Sequence, residues 1–156
     1  MYNLAEEFKI VGAKAPIDAT SAAWVGKPIN MANYSQVTFL MYVGAVDGTG
    51  TVTVENGTST SLGTAMAFNY QIASTGAAAY SVLDGALTAA TTAGFSLSAT
   101  GDNKILAIII NNTELPQANS YVGVKVSASG SANLVTLVAL CRARYMMGLP
   151  LPDPTT

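Results

Sequence analysis

The chain has 156 residues, 10 % of them charged, and a net charge of −2, so its surface is small and neutral and lacks the cations that cover phosphate, which excludes nucleic acid as a ligand. With no histidine and one cysteine, Cys141, Ser-His-Asp and Cys-His catalysis, His- or Cys-rich zinc sites and intrachain disulfides are excluded by count. The longest wholly aliphatic run, 105–110, falls far short of the roughly 20 residues of a membrane helix, and residues 1–10 carry Glu6 and Glu7 where a signal peptide has a basic start, so no membrane partner is expected and the chain should stay in the cytoplasm where it is made.

Residues 1–16 carry few strand signals and are expected to form an N-terminal arm, in which Leu4 and Phe8, at i, i+4 spacing, suit one helical turn. From 35 to 44, Val37, Phe39, Met41 and Val43 alternate with Thr38, Leu40 and Tyr42, predicting a central strand covered on both faces. Asp47-Gly48-Thr49-Gly50 turns the chain into Thr51-Val52-Thr53-Val54-Glu55, and Asn56-Gly57 predicts a hairpin turn or tight corner, since both residue types tolerate positive φ. Met66, Phe68, Tyr70 and Ile72 alternate with Ala65, Ala67, Asn69 and Gln71 and read as one strand with a more polar face.

Shorter strands are expected at 79–83 and 94–99, with the Ala-Thr stretch 86–93 forming a helical turn or loop between them. The β-branched run 104–110 suits a strand buried on both faces. Val122, Val124 and Val126 alternate with Gly123, Lys125 and Ser127, and a Ser129-Gly130-Ser131 turn then predicts a hairpin with 134–145. In the last stretch, Leu149, Pro150, Leu151, Pro152 and Pro154 predict an extended tail without ladder donors at the prolines. These elements amount to an all-β, antiparallel two-sheet sandwich of jelly-roll-like type over 17–145, flanked by extended arms at 1–16 and 146–156.

Candidates for chemistry are few. No spacing among Glu6, Glu7, Asp18, Asp47, Glu55, Asp84, Asp102 and Glu114 marks a catalytic carboxylate pair, and Asp47 and Asp102, both beside glycine, lack the alternating acids of a calcium loop. Gly48 and Gly50 lie in a turn with no following helix to hold a phosphate. Cys141 falls on the apolar side of its alternation and reads as inert core. No catalytic residue, cofactor or metal ligand is expected. Arg142 and Arg144 share one side of a strand and suit an interface, because guanidinium forks bind carboxylates and carbonyls. Leu4 and Phe8 at one end, and Leu149, Pro150, Leu151 and Pro152 at the other, are candidate anchors on a partner, the prolines lowering the entropy lost on docking.

The stretch from Glu114-Leu115-Pro116-Gln117-Ala118-Asn119-Ser120 through Tyr121-Val122-Gly123-Val124-Lys125-Val126, a Ser-Gly-Ser turn and Leu134-Val135-Thr136-Leu137-Val138-Ala139-Leu140 to Arg144-Tyr145 resembles small structural proteins of tailed bacteriophages. So does Tyr34-Ser35-Gln36-Val37-Thr38-Phe39-Leu40-Met41-Tyr42-Val43-Gly44-Ala45-Val46 with its glycine turn and Thr51-Val52-Thr53-Val54. The resemblance spans about 19–145 and implies a virion component of the capsid decoration (cement) type, on the head surface, with the major capsid protein as partner. Half the residues are hydrophobic, which fits multiple buried contacts, and a homotrimer would match the local threefold positions of an icosahedral shell. The alternative expectation is a tail or fibre module binding a host-surface glycan, which should expose clustered aromatics beside Asn or Asp.

Overall fold

The computed structural model describes residues 7–72, 83, 85–99, 102–144 and 151–155. In chain order the strands are β1 (Phe8–Asp18), β2 (Trp24–Val25), β3 (Ile29–Asn30), β4 (Tyr34–Val46), β5 (Thr51–Gly57), β6 (Thr64–Met66), β7 (Phe68–Ile72), β8 (Thr88–Ala90), β9 (Phe95–Ser96), β10 (Lys104–Asn111), β11 (Tyr121–Val126) and β12 (Asn133–Ala143). One sheet, here sheet A, has the order β1-β12-β4-β10-β7-β8; the other, sheet B, has β2-β11-β5-β6, with β3 on β11 and β9 on β5. All pairings are antiparallel. The two sheets pack as a sandwich, and three-residue 3₁₀ turns, Leu97–Ala99 and Asn112–Glu114, serve as connectors.

Period-two alternation builds the core. Val37, Phe39, Met41 and Val43 of β4, Leu106, Ile108 and Ile110 of β10, and Leu137, Ala139 and Cys141 of β12 are fully buried against Val52 and Val54 of β5 and Val122, Val124 and Val126 of β11. Burying each large aliphatic side chain stabilises the fold by about 1.5–3 kcal/mol. β4 is central, as its pattern predicts, but its second face is open: Tyr42 is 42 % exposed and Thr38 and Leu40 are half-buried.

Several local expectations are corrected by how the chain changes sheets. β11 and β12 are not a hairpin, because β11 lies in sheet B and β12 in sheet A. The β4–β5 connection crosses between sheets in the same way, and since β12 pairs with β4 and β11 with β5, the two crossings run side by side. They are tied together: Asp47 N–H donates to Ala132 O at 2.9 Å and Ser127 N–H to Thr51 O at 2.9 Å. The close approach requires glycine, since a methyl group at Gly48 would lie 2.7 Å from Ser129 Cβ and one at Gly50 2.9 Å from Asn133 Nδ2. A register shift between Asn133 and Val135 lets β4 turn the corner, as bulges do.

The Met66–Ile72 alternation also spans two strands. Met66 ends β6 in sheet B and Phe68 begins β7 in sheet A, with Ala67 at the corner. Asn56-Gly57 is no turn: both residues are buried in β5, and the hairpin to β6 closes through 58–63. In the 86–93 stretch, Thr88–Ala90 forms a strand on β7, and 94–99 is a two-residue strand followed by a 3₁₀ turn. Of the strand expected at 79–83, residues 79–82 lie outside the described residues.

The N-terminal arm expected at 1–16 is corrected from Phe8 onward. These residues form β1, an eleven-residue edge strand on β12. Two register shifts, Lys9, Lys14 and Pro16 make its free edge a poor template for another strand.

Candidate functional site

Among the described residues, the hydrogen-bonded carboxylates each serve a local turn or strand pair, with Asp18 and Asp102 both at the corner end of sheet A. Asp18 Oδ1 accepts from Thr20 Oγ1 at 2.6 Å and from the N–H groups of Thr20 and Asn133 at 3.2 and 2.9 Å. These bonds, the Thr20 hydroxyl first, hold its pKa below the usual carboxylate value. Asp102 accepts from Val46 N–H at 2.8 Å, Glu114 from Asn111 N–H at 2.8 Å, and Glu55 pairs with Lys125 at 2.9 Å. Each is committed to its own turn or strand pair, and among the described residues no three acidic or sulfur groups come together as metal ligands would. Glu6 and Asp84 lie outside the described residues. Cys141 is fully buried, and burial pushes its thiol pKa up to about 12, the opposite of a nucleophile's requirement.

A cavity of about 400 Å³ opens beside Met31, Asn112, Thr113, Gln117, Ser120 and Arg144. Two of its amides are structural: Asn112 Nδ2 donates to the carbonyls of Met31 and Tyr34 at 3.1 and 3.2 Å, and Asn119 Nδ2 to Asn56 Oδ1. Arg144 is exposed at its rim, and the main-chain N–H of Arg144 donates to Asn33 O at 2.9 Å. Among the described lining residues Arg144 is the one charged side chain.

The anchor candidates separate into three places. Phe8, half-buried, faces Arg142 across β1 and β12, and Arg142 is in turn opposite Gln36 on β4, so these three form a row across sheet A. Arg144 lies at the cavity. Leu151 and Pro152 dock on this chain's own body: Leu151 is buried, Tyr34 Oη donates to Pro152 O, and Asn30 N–H donates to Pro154 O at 2.6 Å. Leu4, Leu149 and Pro150 lie outside the described residues.

Sequence reasoning missed the strongest surface feature, the difference between the two outer sheet faces. Sheet B turns out Thr51, Thr53, Glu55 and Lys125, and its own 58–63 loop folds back so that a methyl group at Gly123 would lie 2.5 Å from Leu62 Cδ1. Sheet A turns out Ile10 and Gly12 from β1, Leu134, Thr136, Val138 and Leu140 from β12, Thr38, Leu40 and Tyr42 from β4, and Ile105, Ala107 and Ile109 from β10, where Ala107 is buried and the two isoleucines half-buried. None of these is charged. Ile10, Tyr42 and Leu134 are 48, 42 and 48 % exposed, and nothing lies within 4 Å of a methyl group placed at Gly12. The signal was present as Thr38, Leu40 and Tyr42 alternating with the core of β4, but it reads equally well as a face covered by the fold.

Among the described residues the aromatics do not form an exposed strip. Trp24 and Tyr34 are buried, and Phe68, Tyr70 and Phe95 pack on one another, with Tyr70 and Phe95 stacked at 4.3 Å between centroids. Compared with protein-family models, curated proteins and solved structures, the chain matches none.

Proposed function

We propose that the protein is a non-enzymatic structural component of a tailed-phage virion, of the capsid decoration type, that binds the outer head surface with the major capsid protein as its partner. The observation that supports a structural role within an assembly is the apolar outer face of sheet A, uncharged between Asp18 and Arg142, which a chain living alone in water has every reason to cover. Among the described residues, Asp18, Asp102, Glu114 and Glu55 are each tied to a local turn or strand pair and Cys141 is buried, which supports the non-enzymatic reading. The virion assignment is carried by the sequence resemblance over 19–145. Among the described residues Trp24, Tyr34 and Phe39 are buried, Phe68, Tyr70 and Phe95 pack on one another, and Tyr42 is exposed without a second exposed aromatic beside it, which weighs against the glycan-binding fibre reading.

The test is quantitative mass spectrometry and cryo-EM of particles of a phage that encodes the chain. Copy numbers in the hundreds, with density on the head, are expected. A handful of copies at the tail supports the fibre reading instead, and absence from the particle overturns both.

A further inference from the structure

Resting on that structural-protein reading, we infer that the outer face of sheet A binds a second copy of this chain, face to face and antiparallel, as a two-fold pair that forms before any shell is met. The face runs from Leu134 at the corner end to Arg142 at the other, across β1, β12, β4 and β10. At about 4.8 Å per strand and about 3.3 Å per residue it measures roughly 19 by 26 Å, near 500 Å² in projection. Pleating raises the accessible area above the projection, toward the roughly 800 Å² per partner of a stable interface.

Three features point to a second copy rather than the shell. Permanent interfaces are the apolar ones, whereas docking between proteins that first fold and live separately uses a surface about as polar as the rest. A protein awaiting a shell with this face bare would carry an apolar patch at the upper limit for soluble monomers. The second is neutrality between the ends: a two-fold contact sets a face against its own image, and the outward positions between Asp18 and Arg142 carry no charged side chain, so no like charges meet at its centre. The third is the placement of charge at the ends. Arg142 is exposed at one end; at the corner end lie Asp18, opposite Leu134, and Asp102, hydrogen-bonded to Val46. Antiparallel stacking brings each copy's Arg142 over the other's acidic end, twice by symmetry. This arrangement favours a pair over the threefold association that a lattice site would suggest.

Sedimentation of the purified full chain at about 10 µM should give a two-chain species. The double variant Leu134→Asp/Tyr42→Asp should be monomeric with an unchanged circular-dichroism spectrum, Arg142→Glu should weaken pairing at least tenfold, and Val25→Asp, at an exposed apolar position of sheet B, should pair normally. A wild-type monomer, a trimer, or a dimer indifferent to the double variant overturns the inference. Shell binding is read separately. If the double variant still pairs but no longer decorates heads, the face belongs to the shell and the decoration reading survives; if wild type pairs yet is absent from particles, the pairing stands and that reading fails.

Discussion

The phenol of Tyr34 donates its hydrogen to the carbonyl of Pro152, 118 residues further along the chain. Tyr34 opens β4 and is 1 % exposed, so this bond fastens the last residues to the central strand from inside. Tyr34→Phe keeps the ring and removes the bond. We expect about 1 kcal/mol of destabilisation and faster hydrogen exchange at Asn30 N–H, which donates to Pro154 O. Unchanged exchange would show that the tail is held by Leu151 alone.

Alkaline pH should unfold the protein earlier than its composition suggests. Burial raises the Cys141 pKa from 9.0 to about 12, and burial, with Cys141 and Asp153 nearby, raises that of Tyr34 from 10.0 to about 12. Both groups lose their protons first in the unfolded chain, so their contribution is complete below about pH 9 and disappears as pH rises to about 12. Urea midpoints between pH 8 and 11.5 should fall steadily, and Cys141→Ala should move the onset of that fall toward pH 10. A flat profile across this range would contradict the burial of both groups.

On the acid side the sign is opposite. Asp18, with its pKa held below 3.8 by Thr20 and Asn133, contributes stability that is present above that value and lost as pH falls through the lower native one. Asp18→Ala should lower the thermal midpoint at pH 7 by a few degrees and flatten its decline below pH 4. Equal acid sensitivity in variant and wild type would place the effect elsewhere.

Two glycines should respond oppositely to alanine. Gly94 has φ +76°, and a methyl group there would sit 2.0 Å from Val52 O, on backbone that cannot move without breaking β5. Gly94→Ala should cost about 3 kcal/mol or more. Gly12 has open space, so Gly12→Ala should change stability by no more than about 1 kcal/mol. Urea unfolding of both variants checks the pair.

The class of fold was legible because alternation reports which side of a strand is buried: Val37, Phe39, Met41 and Val43 are all fully buried. Alternation does not report which strand is the neighbour. Met66 and Phe68 both point into the shared core although they belong to different sheets, so the period continues through a corner that it cannot mark. The same blindness turned β11 and β12 into an expected hairpin, since a Ser-Gly-Ser segment serves a crossing as well as a turn. Asn56-Gly57 carries the local chemistry of a hairpin, yet Asn56 is buried, accepts a hydrogen bond from Asn119 and pairs with Thr64, so tertiary pairing overrides local preference. At the contact surface, Phe8 and Arg142 were singled out separately, but only the β1–β12 register makes them neighbours.

The paired crossings have a consequence for the order in which the chain is made. β4 and β5 leave the ribosome early, but β4 finds its partners only in β10 and β12, and β5 its long partner only in β11. From Val46 to the end of β12 the ribosome needs roughly 5–20 s at about 5–20 residues per second. During that interval the longest strand among the described residues, with its Val37, Phe39, Met41 and Val43 face bare, has no ladder to join, and the nascent chain is at its most sticky just before completion. Its yield in a cell should therefore depend on holding chaperones during synthesis more than on the stability of the finished sandwich.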